Sequence, residues 1–230
     1  MTSQRRTFTR ESPEQRKASL VRAALKLIAQ SGIQAASVRS IAAEADVTLG
    51  LIRHYFASKE ELINAAYQHH MSEMTSLTMA YRGSETDGPA IVRLAAVVRA
   101  SLSPPVMQPD AVALWASFLT QLQEDLRMQE THLRTYRDFR DQLEALIGVA
   151  LAEDGRKPSP ARLRHLSVAC NAVIDGLWME GGALPDEFAQ GELVSIGLES
   201  VGNIIGLDLK QGAVNERNLD HAAPGTAWRG

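Results

Sequence analysis

Apolar positions recur at helical spacing from residue 13 onward, and no alternating run of β-branched residues is long enough to read as a strand. The pattern predicts an all-α chain. Ser12-Pro13-Glu14-Gln15 announces the first helix, with Ser12 as N-cap, Pro13 at the first helical position and Gln15 as capping-box partner. Leu20, Ala24, Leu27 and Ile28 form its apolar side, and Gly32, free to turn left-handed, ends it. Ser37 opens a short helix over residues 38–45, and a third short segment begins at Thr48. Ser58-Lys59-Glu60-Glu61 caps a fourth helix, which runs through Leu62, Ala66 and His69 toward Met79. Past a polar loop from Gly83 to Pro89, helices resume near Ala90 and follow from Ala111 to Arg127 and from Glu130 to Ala152. Ser159-Pro160 starts another helix, to about Glu180, and the last spans Glu187 to Ile205. Residues 207–230 read as a tail, and no repeat of 20 to 50 residues suggests a solenoid.

Composition narrows the function classes. At 230 residues, 45% hydrophobic and 22% charged, the chain is long enough to bury a core without disulfides or a structural metal. Cys170 has no second cysteine to pair with, and no Cys/His cluster has zinc-ligand spacing, so a reducing cytoplasm and no metal or cofactor are expected. Its plain role is a small buried hydrophobe. No apolar stretch is long enough to span a membrane. The net charge of −3 hides an asymmetry: residues 1–70 hold ten Lys/Arg against six Asp/Glu, and the rest hold 14 against 21. A basic head on an acidic body suggests one polyanion-facing region carried by a part with another job.

The head has a specific pattern. Val38, Ile41, Ala42 and Ala45 share one face of the second helix, and Val47 in the connector closes that face. On the third helix Ile52, Tyr55 and Phe56 turn inward, which leaves Thr48, Leu49, Arg53 and His54 toward solvent. Such a pair is a helix-turn-helix over residues 37–56, whose second helix is presented to a DNA major groove.

Ser37, Ile41-Ala42, Ala45-Asp46-Val47-Thr48, Gly50, His54-Tyr55-Phe56 and Ser58-Lys59-Glu60-Glu61-Leu62 together resemble the DNA-binding domain of the TetR family of bacterial repressors, over residues 13–62. The resemblance implies that Ser37, Arg39, Thr48, Leu49, Gly50, Arg53, His54, Tyr55 and Lys59 form the DNA face, with Tyr55 and Lys59 on phosphates. Asp46 stands where the family has a turn glycine, tolerable because Asp visits the left-handed region more readily than most residues. Arg53 stands where an aromatic residue is common; it could fork onto guanine or clamp a phosphate. Gly50 either lets the backbone approach DNA or relieves crowding against the first helix. His54 either touches DNA or packs on Tyr55. Arg5, Arg6 and Arg10 either trail over the DNA or belong to a polar tail.

For the body, residues 63–206, the resemblance implies a larger helical domain for effector binding and dimerisation. Residues 113–118, with Trp115 and Phe118, and residues 173–178, with Asp175 and Trp178, look like the branch containing BetI-type repressors of choline-to-betaine genes. A choline-like cation needs aromatic faces and a carboxylate or amide, for which Trp115, Phe118, Tyr136, Asn171, Asp175 and Trp178 are candidates, or else plain core. A homodimer on double-stranded palindromic operator DNA would use Leu166, Ala169, Val173, Gly176 and Leu177 with Leu193, Ile196, Gly197, Val201 and Ile204, unless those stripes face their own core. A competing reading is a DNA-bound interaction protein that delivers a partner protein without an effector. Catalysis is not expected, because His54, His69, His70, His132, His165 and His221 join no recognisable acid–base or nucleophile motif.

Overall fold

The computed structural model describes residues 12–83, 88–123 and 125–210. The expectations for Arg5, Arg6, Arg10, His221 and the tail from Gln211 fall outside these residues. The described chain is all-α: α1 (Pro13–Ala35), α2 (Val38–Glu44), α3 (Leu49–Tyr55), α4 (Lys59–Met79), a 3-10 turn (Ala80–Arg82), α5 (Ala90–Ser101), α6 (Pro109–Gln121), α7 (Leu126–Glu153), α8 (Pro160–Ala183) and α9 (Glu192–Ile205).

Local chemistry sets these boundaries. The Ser12 hydroxyl accepts from Gln15 N at 3.2 Å while Ser12 N donates to the Gln15 side chain at 2.8 Å, a complete capping box. Gly32, at φ 76°, breaks the helical path of α1, and Ile33 and Ala36 then tuck into the core. Asp46, at φ 52°, makes the left-handed turn between α2 and α3 that glycine usually makes. Ser37, Thr48 and Ser58 each cap the helix that follows through the side-chain oxygen.

Three boundaries differ from the periodic reading. The break expected after Arg127 falls at residues 122–125, because the Asp125 carboxylate accepts from Arg127 N and Met128 N and starts α7 there. The last helix begins at Glu192, since Gly191 takes a left-handed φ of 78° just before it. The tail does not begin at residue 207: Leu209 is 1% exposed in the core, and Arg156 donates to the carbonyls of Ile205 and Gly206.

Two apolar clusters organise the packing. One joins Leu20, Ala24 and Ile28 of α1 to Ile41, Ile52, Phe56, Leu62 and Tyr67, and closes over Leu114 and Phe118 of α6 and Met128 of α7. The other joins Leu94, Val97 and Val98 of α5 to Leu143 and Ile147 of α7, Leu166, Cys170 and Ile174 of α8, and Leu198, Val201 and Ile205 of α9. Helix α4 is shared. Its first half, through Tyr67, lies in the head cluster, and its second half runs on beside the body.

Candidate nucleic-acid interface and body pocket

The N-terminus of α4 meets α2 and α3 in a groove of ≈ 410 Å³ lined by Ser37, Val38, Arg39, Leu49, Ile52, Arg53, Phe56, Ala57, Ser58 and Lys59. Among the described residues its lining holds three cations and no carboxylate. Five of the nine residues named for the DNA face therefore converge on one concave surface: Ser37, Arg39, Leu49, Arg53 and Lys59. Such a groove suits a phosphate backbone, because free N–H groups at a helix start and basic side chains act on the same anion. Lys59 has a second duty, since its ammonium donates to Ile33 O at 3.2 Å and so holds the end of α1.

The remaining four are distributed around this groove. Thr48 caps α3 by accepting from Leu51 N at 3.3 Å. Gly50 is exposed, and a Cβ there would meet only the Thr48 hydroxyl, at 3.9 Å, so crowding against α1 does not account for the glycine. His54 is exposed and lies edge-on to Tyr55 with ring centroids 5.0 Å apart, the packing alternative for this residue. Tyr55 is half-buried against the head cluster.

A second cavity, of ≈ 100 Å³, opens in the body. Its lining includes Trp115 of α6, Tyr136 and Phe139 of α7, Asp175 and Trp178 of α8, and His70, Met71, Met74, Thr75 and Thr78 of α4. The Trp115 and Trp178 rings meet edge to face at 5.9 Å, and Trp178 Nε1 donates to Val106 O at 2.9 Å, which fixes that wall. Asp175 accepts from the Tyr136 hydroxyl and, at 2.9 Å, from Asn171 Nδ2, which also donates to the Tyr136 oxygen at 2.9 Å. Burial raises the Asp175 carboxyl above the usual range against these two donors, and burial together with Asp175 raises the Tyr136 phenol to about 12. The cavity thus combines apolar and aromatic walls with one hydrogen-bonded carboxyl.

Four of the six residues expected at a ligand line this cavity: Trp115, Tyr136, Asp175 and Trp178. Asn171, 4% exposed, stands behind them as a donor. Phe118 is corrected: it is 0% exposed in the head cluster, packed on Tyr67 at 4.8 Å, because a residue three positions after Trp115 faces α1 and α4 instead of the cavity. The contribution of α4 was not anticipated, although His70, Met74 and Thr78 recur every fourth position along it.

The expected interface also changes. Leu166, Leu193, Gly197 and Val201 fill the protomer's own core, and a Cβ on Gly197 would come within 2.4 Å of the Leu102 side chain. The α9 stripe Leu193, Gly197 and Val201 packs against α5 and α8, and Leu166 of α8 lies in the same body cluster, so these four leave the expected dimer surface. Ala169, Val173, Leu177 and Ile204 are half-buried, while Gly176 is exposed and Ile196 is 39% exposed.

Residues 20–66 match the family model of bacterial regulatory proteins of the tetR family, and residues 90–206 match that of the C-terminal region of BetI-type transcriptional repressors. The chain belongs to the TetR family, in its BetI-type branch. The HTH-type transcriptional regulator BetI of Burkholderia thailandensis is 30% identical over 169 residues, covering 73% of this chain and 82% of that protein. A transcriptional regulator from Pseudomonas aeruginosa PAO1 superposes with a TM-score of 0.76 at 29% identity, covering 91% of this chain and 99% of that one. A regulator from Saccharomonospora viridis, solved in complex with choline, shares the fold at 20% identity with a TM-score of 0.64, over 83% of this chain and 95% of that one. As a TetR-family member the protein is a DNA-binding transcriptional regulator, and among its described residues no helix is long and apolar enough to cross a membrane.

This TetR-family body carries an acid-labile feature. Burial, with the neighbouring His69 adding to it, pushes the His70 imidazole down to about 4. The unfolded chain, with an ordinary imidazole, takes up that proton at higher pH, so stability is intact above about 6.5 and falls as pH drops toward 4, by up to about 1.4 kcal/mol per pH unit. Burial lowers His132 in the same sense, whereas the raised Asp175 carboxyl works oppositely. Thermal melts from pH 7 to pH 5 should show a falling midpoint, with a shallower fall for His70→Gln. An identical pH slope in both proteins would refute this assignment.

Proposed function

We propose that the protein is a ligand-responsive repressor that binds a palindromic operator as a homodimer in the cytoplasm and takes a small cation of the choline type in its body cavity. The observation that carries this reading is the cavity's composition: Trp115, Trp178 and Tyr136 beside the Asp175 carboxyl, closed by the helix whose N-terminus lies in the basic groove. Aromatic faces attract a quaternary ammonium, and an ionised Asp175 answers its charge. The relative solved with choline supports that ligand class. The head, residues 13–62, reads the DNA through the nine residues named above, and residues 63–206 supply the effector site and the dimer surface. For the dimer, the outward sides of α8 and α9 are the support: Val168 and Ile196 are exposed apolar residues there. An occupied cavity displaces α4 and changes the spacing of the two heads, and a coupling of a few kcal/mol suffices for such control.

The test is a selection of random duplexes with the purified protein at near-physiological salt, with and without choline. A retained palindrome that is lost when choline is added is the expected result. Enrichment unaffected by choline would remove choline as effector, and no enrichment in either condition would favour a protein that delivers a partner to DNA.

A further inference from the structure

His132 touches both regions that regulation must connect. Its Nδ1 is hydrogen-bonded to the Tyr67 hydroxyl, and Tyr67, on α4, is wholly buried in the head cluster against Phe118. One turn along α7, the His132 ring lies 5.3 Å from that of Tyr136, and the Tyr136 hydroxyl donates to Asp175 in the cavity wall. His132, Tyr136 and Phe139 fall at i, i+4 and i+7, so a single face of α7 carries the whole connection.

The groups are held in one protonation state. Burial raises both phenols and lowers the His132 imidazole, so all three stay neutral near pH 7 and the contacts depend on position alone. Neutral, close-packed groups transmit a displacement because shifting one opens a gap or a clash at the next. A cation bound against Asp175 competes with the Tyr136 hydroxyl for the carboxylate, and a turned Tyr136 presses on or releases His132.

We infer that His132 is the residue that couples the body cavity to the DNA head, converting a change at Tyr136 and Asp175 into a shift of Tyr67 on α4. This rests on the proposed effector site but names the route by which its occupancy reaches the DNA. A second contact runs from the cavity: His70 lines it and lies 6.5 Å from the Phe118 ring. The two routes predict different outcomes.

The test is a ligand-free double-mutant cycle on the full chain, measuring affinity for the selected operator. Tyr136→Phe is expected to change operator affinity about fivefold or more in the parent and by less than about twofold in a His132→Leu background. Tyr67→Phe, which keeps the ring and loses the hydroxyl, should silence Tyr136→Phe in the same way if His132→Leu fails to fold. An undiminished Tyr136→Phe effect in both backgrounds, or its loss only in His70→Leu, overturns the assignment. So does a Tyr136→Phe variant indistinguishable from the parent. In a second arm, calorimetry with choline should show His132→Leu binding it as tightly as the parent while its operator affinity no longer responds. If the parent does not bind choline, the proposed effector fails, and the ligand-free cycle still decides His132.

Discussion

Alanine at Arg53 is expected to cost about 1–3 kcal/mol per head on the selected operator and to relax preference at one base pair of each half-site, whereas alanine at Lys59 weakens every sequence alike and lowers the salt slope by about one per head. The difference follows from position. Arg53 stands exposed on α3, the helix a helix-turn-helix presents to the major groove, where a guanidinium can fork onto a guanine edge. Lys59 lies half-buried at the first residue of α4, where the helix start and its own ammonium favour a phosphate. Because Lys59 also donates to Ile33 O, its alanine variant should melt slightly earlier, by the order of 1 kcal/mol for one lost hydrogen bond, while Lys59→Arg keeps both charge and donor. Anisotropy titrations over several salt concentrations, on the operator and on variants with one base pair changed, separate the two roles. Equal losses on all duplexes for Arg53→Ala would place Arg53 on a phosphate.

The head was legible in the sequence because its signals are local. Ser12, Ser37, Thr48 and Ser58 are capping residues within three positions of the N–H groups they satisfy, and the Gly32 and Asp46 turns depend on single-residue conformations. Residues 37–59 are also contiguous, so their folding alone brings Ser37, Arg39, Leu49, Arg53 and Lys59 to one groove. The body was legible as helices but less so as a site. Its cavity is assembled from α4, α6, α7 and α8, and periodicity states which residues share a face without stating what that face meets. Hence Phe118 was grouped with Trp115 although it fills the head cluster, and Leu193, Gly197 and Val201 formed a stripe whose partner proved to be their own protomer. His70 carried the opposite ambiguity: a histidine on a buried stripe reads as core until the neighbouring helices leave a void beside it.

Replacing Asp175 with asparagine is expected to weaken choline about tenfold to a hundredfold, the range for losing one charged partner. The substitution keeps the volume and the ability to accept from Tyr136, so a loss of that size belongs to the charge. Among the described residues Asp175 is the one carboxyl in the cavity lining: the other members are apolar, hydroxyl-bearing or aromatic, apart from His70, whose imidazole is neutral near pH 7. Burial raises the Asp175 carboxyl, so the parent's affinity for choline should itself fall on acidification as that carboxyl takes a proton, while the asparagine variant, having nothing to titrate there, keeps its weaker affinity with a flatter pH profile. Trp178→Leu supplies the companion measurement. It removes an aromatic face and the Val106 anchor but leaves the carboxyl, so it should lower affinity while preserving the pH slope. Calorimetric titration of the three proteins from neutral pH downward therefore separates charge from aromatic contact. A parent that binds choline equally well with aspartate or asparagine at position 175 would mean that the aromatic walls alone hold the cation and that the carboxyl serves only Tyr136.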